Sequence, residues 1–180
     1  MKATGIVRRI DDLGRVVIPK EIRRTMRIRE GDPLEIFTDR DGEVIFKKYS
    51  PIGELGSFST QYAETLYKTC GISVIITDRD TVIAAAGVSK KEYMDRTLSD
   101  ELEEIMNGRS IYLCHTGEAI FPLKDKCETA VSCAMPIITN GDVVGCVVSL
   151  VEEASRSAPN DVEIKLIQTA AGFLSKQLEG

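Results

Sequence analysis

Arg15-Val16-Val17-Ile18-Pro19-Lys20-Glu21-Ile22-Arg23-Arg24-Thr25-Met26-Arg27 decides how the first third of the chain is read. Three consecutive β-branched residues predict a strand. Pro19 then opens a helix, since the N–H it lacks has no intrahelical partner at the first position. On a wheel of about 100° per residue, Lys20, Arg23, Arg24 and Arg27 fall at i, i+3, i+4 and i+7 and share one arc, with Ile22 and Met26 opposite. One face is expected to pack inward and the other to form a cationic stripe. Such a stripe is unfavourable by itself: like charges at i, i+4 repel by about 0.2–0.5 kcal/mol per pair, and Lys20 adds a cation at the positive end of the helix. An anionic ligand removes the repulsion. The planar guanidinium fork suits phosphate oxygens and the O6/N7 edge of guanine, and Arg8, Arg9 and Arg15 supply three more such groups close by. A plain solvated basic surface is the bland competitor. Lipid headgroups are the competing anion, but the segment lacks exposed aromatic anchors for a lipid surface.

Outward from this stretch, residues 4–10 alternate weakly and predict another strand. Asp11-Asp12-Leu13-Gly14 reads as the turn between the two. Strands are expected over 33–38 and 43–49, joined at Asp41-Gly42. About 50 residues without a cysteine bury too little surface to be stable alone. Either two copies share one core or the segment docks on the rest of the chain.

Charge separates the two parts. Residues 1–50 hold 12 Lys/Arg against 9 Asp/Glu, whereas residues 51–180 hold 11 against 19. A basic segment on an otherwise acidic chain points to a local polyanion site. Ser50-Pro51-Ile52-Gly53 marks the boundary. The expected domains are 1–50, a linker over 51–55, and 56–180.

The second part predicts a helix over 55–70 stopped by Gly71, strands over 72–77 and 81–88, and an amphipathic helix over 98–106 capped at Asn107-Gly108. A hairpin is expected over 129–139 and 142–151 with Asn140-Gly141 as a type I′ turn. A last helix begins near Asn160, a good N-cap, and runs to about 178. In it Ile164, Ile167, Ala171, Leu174 and Leu178 repeat at three- and four-residue spacing. That is either a seam for a second subunit or the face packed on the domain's own sheet; with Ala170 and Phe173 widening it, both can hold.

Residues 4–19, followed by Glu21-Ile22-Arg23-Arg24-Thr25 and Asp32-Pro33-Leu34-Glu35-Ile36, closely resemble the AbrB-type transition-state regulators. The resemblance covers about residues 1–50. It implies a dimeric swapped-hairpin β-barrel that binds double-stranded DNA through Arg8, Arg15, Arg23 and Arg24, with Arg9 at a usually basic position. Arg27 stands where that family often has glycine, which suggests a strained left-handed cap and gives it less weight. The whole chain resembles a family of sporulation regulators that joins this domain to a C-terminal GAF domain. This implies an α+β chain: an AbrB-like swapped-hairpin β-barrel followed by a GAF-like α/β sandwich with an antiparallel sheet. It also implies a sequence-specific transcriptional regulator, activating and repressing sporulation genes in the forespore, dimeric through residues 1–50 and tetrameric through GAF helices. A small-molecule ligand of the GAF-like part is left open, because no residue set names one.

No run of about 18 apolar residues occurs, so no membrane partner is expected. Met1-Lys2-Ala3-Thr4-Gly5 lacks the apolar stretch of a secretion signal, so a cytoplasmic location is expected, and the resemblance implies a nucleoid-associated one in the forespore. Cys70, Cys114, Cys127, Cys133 and Cys146 read mainly as small buried hydrophobes. Cys114-His115, Cys127 and Cys133 lack the paired spacing of a zinc site, and neither metal nor cofactor is expected. An enzyme is not expected either: His115 is the single histidine, and no nucleophile elbow or glycine-rich phosphate loop is present. The competing enzymatic reading is a sulfoxide reductase using Cys127 and Cys133, which requires an accessible thiol of low pKa.

Overall fold

The structure, a computed structural model, describes residues 5–115, 119–125, 127–155 and 157–179. The chain divides into two compact units, Met1–Tyr49 and Ser50–Gly180.

In the first unit, α1 spans Lys20–Thr25, β1 Leu34–Thr38 and β2 Val44–Lys48. The two strands pair antiparallel, with Leu34 opposite Lys48 and Thr38 opposite Val44. Asp39 holds their turn: its Oδ1 accepts from the N–H groups of Asp41 and Glu43, each at 3.0 Å. Gly42 takes the left-handed φ of 82° that the turn demands.

Two expectations fail here. Of the segments read as strands over 4–10 and 15–18, the described residues 5–10 and 15–18 form none in the single chain, and Thr4 lies outside the described residues. The turn between them is present: Asp11 N–H donates to Arg15 O and Gly14 N–H to Asp11 O, both at 3.0 Å. No ladder continues from it. A strand exists only where a second strand meets its N–H and C=O groups, and among the described residues the sheet of this unit contains only β1 and β2. The closed barrel is therefore not formed by one chain, and the arms leave Val7 89% and Ile10 72% exposed. Met26, placed inward by the wheel, is 56% exposed; it lies at the C-cap, beyond the last helical residue.

The second unit is an α/β sandwich. Its first helical turn, α2 (Pro51–Glu54), occupies the segment read as a linker. Ser50 caps it through Oγ to Gly53 N–H, and Ile52 is completely buried. Helix α3 (Gly56–Cys70) follows and ends at Gly71, whose φ of 71° makes the left-handed cap. Next come β3 (Ser73–Thr77), β4 (Val82–Ala86), α4 (Lys90–Tyr93) and α5 (Asp100–Asn107). Ser99 caps α5 through Oγ to Leu102 N–H. The left-handed residue after α5 is Arg109 (φ 55°), not Gly108 (φ −67°). Strands β5 (Tyr112–Leu113), β6 (Thr129–Thr139) and β7 (Asp142–Glu152) and helix α6 (Asp161–Glu179) complete the unit.

All five strands are antiparallel, in the order β4-β3-β7-β6-β5. Asn140 and Gly141, both at positive φ, make the β6–β7 turn. Alternate residues of each strand enter different cores. Val74, Ile76, Val147 and Cys133 pack with α3 and α6; Ile75, Val148, Cys146 and Ala134 pack with Leu102 and Met106 of α5. Covering both faces explains why these strands read as near-continuous apolar runs.

Asn160 caps α6, its Oδ1 accepting from Glu163 N–H at 2.9 Å. The 3-4-3-4 seam is used within the chain: Ile167, Ala171 and Leu174 are buried on the unit's own sheet, and Ile164 and Leu178 pack beside them. Phe173 instead lies against Phe58 and Tyr62 of α3, with ring centroids 5.4 and 5.5 Å away, and stays 37% exposed.

Candidate nucleic-acid interface

Helix α1 starts where Pro19 ends the extended segment, and its first hydrogen bond runs from Arg23 N–H to Pro19 O at 2.9 Å. It ends in a Schellman arrangement: Ile28 N–H donates to Arg23 O at 2.8 Å and Arg27 N–H to Arg24 O at 3.3 Å. Arg27 occupies the left-handed position of that motif, with φ 51°. The departure from glycine read in the sequence therefore falls on the residue that bears the backbone strain. Arg27 is half-buried, whereas Arg23 and Arg24 are exposed.

Arg23 Nε donates to Ile18 O at 3.2 Å, which leans the side chain back over the start of the helix. Arg8 and Arg9 are exposed on the first arm. Among the described residues no carboxylate lies within ion-pair distance of Arg8, Arg9, Arg23 or Arg24.

Arg15 is different. Its Nε meets Asp11 Oδ2 at 2.8 Å. The other oxygen, Oδ1, accepts the N–H groups of Leu13 (3.0 Å) and Arg15 (2.8 Å). The Arg15 backbone N–H, followed by its guanidinium, holds the Asp11 carboxyl below its ordinary value of 3.8. An exposed pair of this kind contributes little stability. Its effect is geometric: it fixes the Arg15 stem through Nε and uses neither Nη group. Asp11 was missed in the sequence as a site residue, although an Asp four residues before Arg, across a turn ending in glycine, was a readable signal.

Cys127 and Cys133, the pair the reductase reading requires, lack the accessible low-pKa thiol it needs, and Cys70, read as buried, is exposed. Cys133 is fully buried on β6; burial first, and the neighbouring Glu163 charge second, push its thiol up to about 12. Burial also raises the half-buried Cys127 thiol. Cys114 is buried and donates Sγ–H to Ser157 O at 3.0 Å. A thiolate nucleophile needs the opposite surroundings. Among the described residues no three His, Cys, Asp or Glu side chains cluster to hold a metal ion, and no helix is long and apolar enough to cross a membrane. An open cavity of about 460 Å³ lies beside the start of α6, lined by Cys70, Ile72, Asn160, Asp161, Val162, Glu163 and Leu166.

Comparison with known proteins covers both units. Residues 54–179 match the family described as stage V sporulation protein T C-terminal, transcription factor, and residues 7–53 match antidote-toxin recognition MazE, bacterial antitoxin. Over 180 residues the chain is 55% identical to stage V sporulation protein T of Bacillus subtilis (strain 168), covering 99% of each chain. The solved N-terminal DNA recognition domain of the Bacillus subtilis regulator AbrB is 63% identical, covering 28% of this chain and 94% of that one, with a TM-score of 0.25. A methyl-accepting chemotaxis protein, residues 122 to 287, is 18% identical over 69% of this chain and 88% of that one, with a TM-score of 0.51, a likeness of fold.

Proposed function

Because the chain belongs to the stage V sporulation protein T family of transcription factors, we propose that its first unit grips double-stranded DNA through Arg8, Arg9, Arg15, Arg23 and Arg24. One observation carries this reading. Arg23 and Arg24 stand exposed on a six-residue helix, with no carboxylate paired to either and Arg8 and Arg9 equally unpaired among the described residues. Four cations without counter-charges are what a phosphate backbone neutralises. Arg15, steadied by Asp11, offers its two Nη groups to a phosphate or a guanine edge.

A second copy of the chain completes this unit. Strand-forming arms that are unpaired and carry exposed Val7, Ile10, Leu13 and Val17 match a core shared by two chains, as a swapped-hairpin dimer requires. The second unit joins such dimers through α3 and α6, where Tyr67, Val162 and Phe173 remain exposed. A small-molecule input would enter at the open cavity beside α6. Activation of some sporulation genes and repression of others, within the forespore, follows from the family resemblance.

The test is DNA binding by the full chain with salt titrated, using a duplex recovered by the wild-type protein from a random-sequence pool. A dimer meeting about 6–8 phosphates gives a slope of log K against log salt of roughly −5 to −7. Arg23→Ala and Arg24→Ala should each weaken binding by about tenfold or more. A flat salt response, or unchanged affinity in both variants, sinks the assignment.

A further inference from the structure

A helix of six residues holds itself poorly. No side-chain bond caps the start of α1, and none of its residues is buried. Yet the reading of DNA through Arg23 and Arg24 requires that α1 be held in one place. Its exit is where the hold lies. The carbonyl of Arg27, the left-handed residue of the cap, accepts a hydrogen bond from Lys48 Nζ at 2.8 Å, from 21 residues away at the end of β2. The same ammonium lies 3.7 Å from Oδ2 of Asp32, whose side chain is only 6% exposed. That oxygen also accepts Arg29 N–H at 2.8 Å, closing the turn that leads into β1. Lys48 in turn is fixed by the ladder, opposite Leu34. One ammonium thus ties the end of α1, the turn after it and the β1–β2 hairpin.

We propose that Lys48 and Asp32 form a polar latch that fixes where α1 presents Arg23 and Arg24, so that Lys48 serves DNA recognition as a positioning residue and not as a phosphate contact. The proposal rests on the arginine reading above and deepens it. A nearly buried carboxylate costs free energy unless it is paired and hydrogen-bonded; here it is both, through Arg29 just after the recognition helix and through Lys48 of β2, which also bonds the helix exit. Specific binding depends on where guanidinium groups sit, whereas non-specific binding depends chiefly on how many cations reach the phosphates. A latch therefore acts on the first and spares the second.

The experiment compares the full-length wild type with Lys48→Met, Lys48→Arg and Asp32→Asn. The probes are the duplex enriched by the wild type from a random-sequence pool and poly(dI·dC), with salt titrated for each. Lys48→Met should bind the enriched duplex about tenfold more weakly and poly(dI·dC) within about twofold, with the salt slope unchanged. Lys48→Arg, which can still donate to the Arg27 carbonyl and pair with Asp32, should recover most of the discrimination. Asp32→Asn keeps an acceptor for Arg29 N–H and should lose discrimination in the same direction. Equal weakening on both probes, with the slope shallower by about one, makes Lys48 a phosphate contact and overturns the latch. So does wild-type discrimination in Lys48→Met or Asp32→Asn. If neither variant folds, the pair is a folding element and the proposal fails. A wild type that enriches no sequence removes the arginine reading itself, and the latch with it.

Discussion

The Nε–H of Arg15 donates to Oδ2 of Asp11 across 2.8 Å, and the backbone N–H of the same arginine donates to Oδ1 at the same distance. One carboxylate thereby orders both the turn and the Arg15 side chain, one of the arginines proposed to meet DNA. Its pKa is held below 3.8 by those bonds. The sign follows: a depressed folded pKa gives a contribution present above the unfolded value and lost as pH falls through the folded one. The Asp11 carboxyl carbon, followed by NMR, should titrate below its ordinary range. Arg15→Ala should bring it part of the way back, since the backbone donor survives. A midpoint at the ordinary value in the wild type would show the pair to be absent in solution.

Arg27 occupies a left-handed backbone position that costs a non-glycine residue roughly 1–2 kcal/mol. Arg27→Gly should raise the stability of the first unit by about 1 kcal/mol, read as a higher denaturation midpoint. The Lys48 bond to the Arg27 carbonyl involves only backbone at that position and survives the change. Affinity for DNA should stay within about twofold of wild type, because the half-buried Arg27 side chain lies off the exposed set. A large loss of affinity would return Arg27 to the cationic stripe.

Residues 1–49, expressed alone, should form a dimer, since the single chain leaves Val7, Ile10, Leu13 and Val17 of the arms exposed. Sedimentation equilibrium reads the outcome directly. A folded monomer would dismiss the shared core.

Gly145 in β7 lies so close to the backbone of β3 that an added Cβ would sit inside the van der Waals radius of the Thr77 carbonyl oxygen. That oxygen belongs to a sheet strand and cannot swing aside. Gly145→Ala should cost about 3 kcal/mol or more and lower the melting temperature of the second unit, while DNA binding by any protein that remains folded is unaffected. A melting temperature unchanged from wild type would mean that β3 and β7 part at this point.

Much of the second unit was legible from local chemistry. Gly71 stops α3, Asn160 starts α6 and Asn140-Gly141 turns β6 into β7, because each of these acts through its own backbone or nearest neighbours. Helix α1 and the β1–β2 hairpin were readable for the same reason. The two arms were not: their sequence has strand character, but a strand is a property of a pair, and one chain supplies no pair. Gly108 and Arg109 show a smaller version of the problem, since the residue type favoured glycine while Arg109, whose guanidinium bonds the Gly141 carbonyl, takes the left-handed turn. At the candidate site, charge and helical spacing exposed the arginines. Asp11, Asp32 and Lys48 act through contacts made by the fold, and no periodicity announces such contacts.

Arms that pair between two chains, as proposed, make assembly of the DNA-gripping unit a second-order event. The amount of competent regulator then rises with the square of its concentration at low abundance and flattens once pairing is complete. Gene control through such a unit has a built-in threshold: a cell that dilutes the polypeptide on dividing loses occupancy faster than it loses protein.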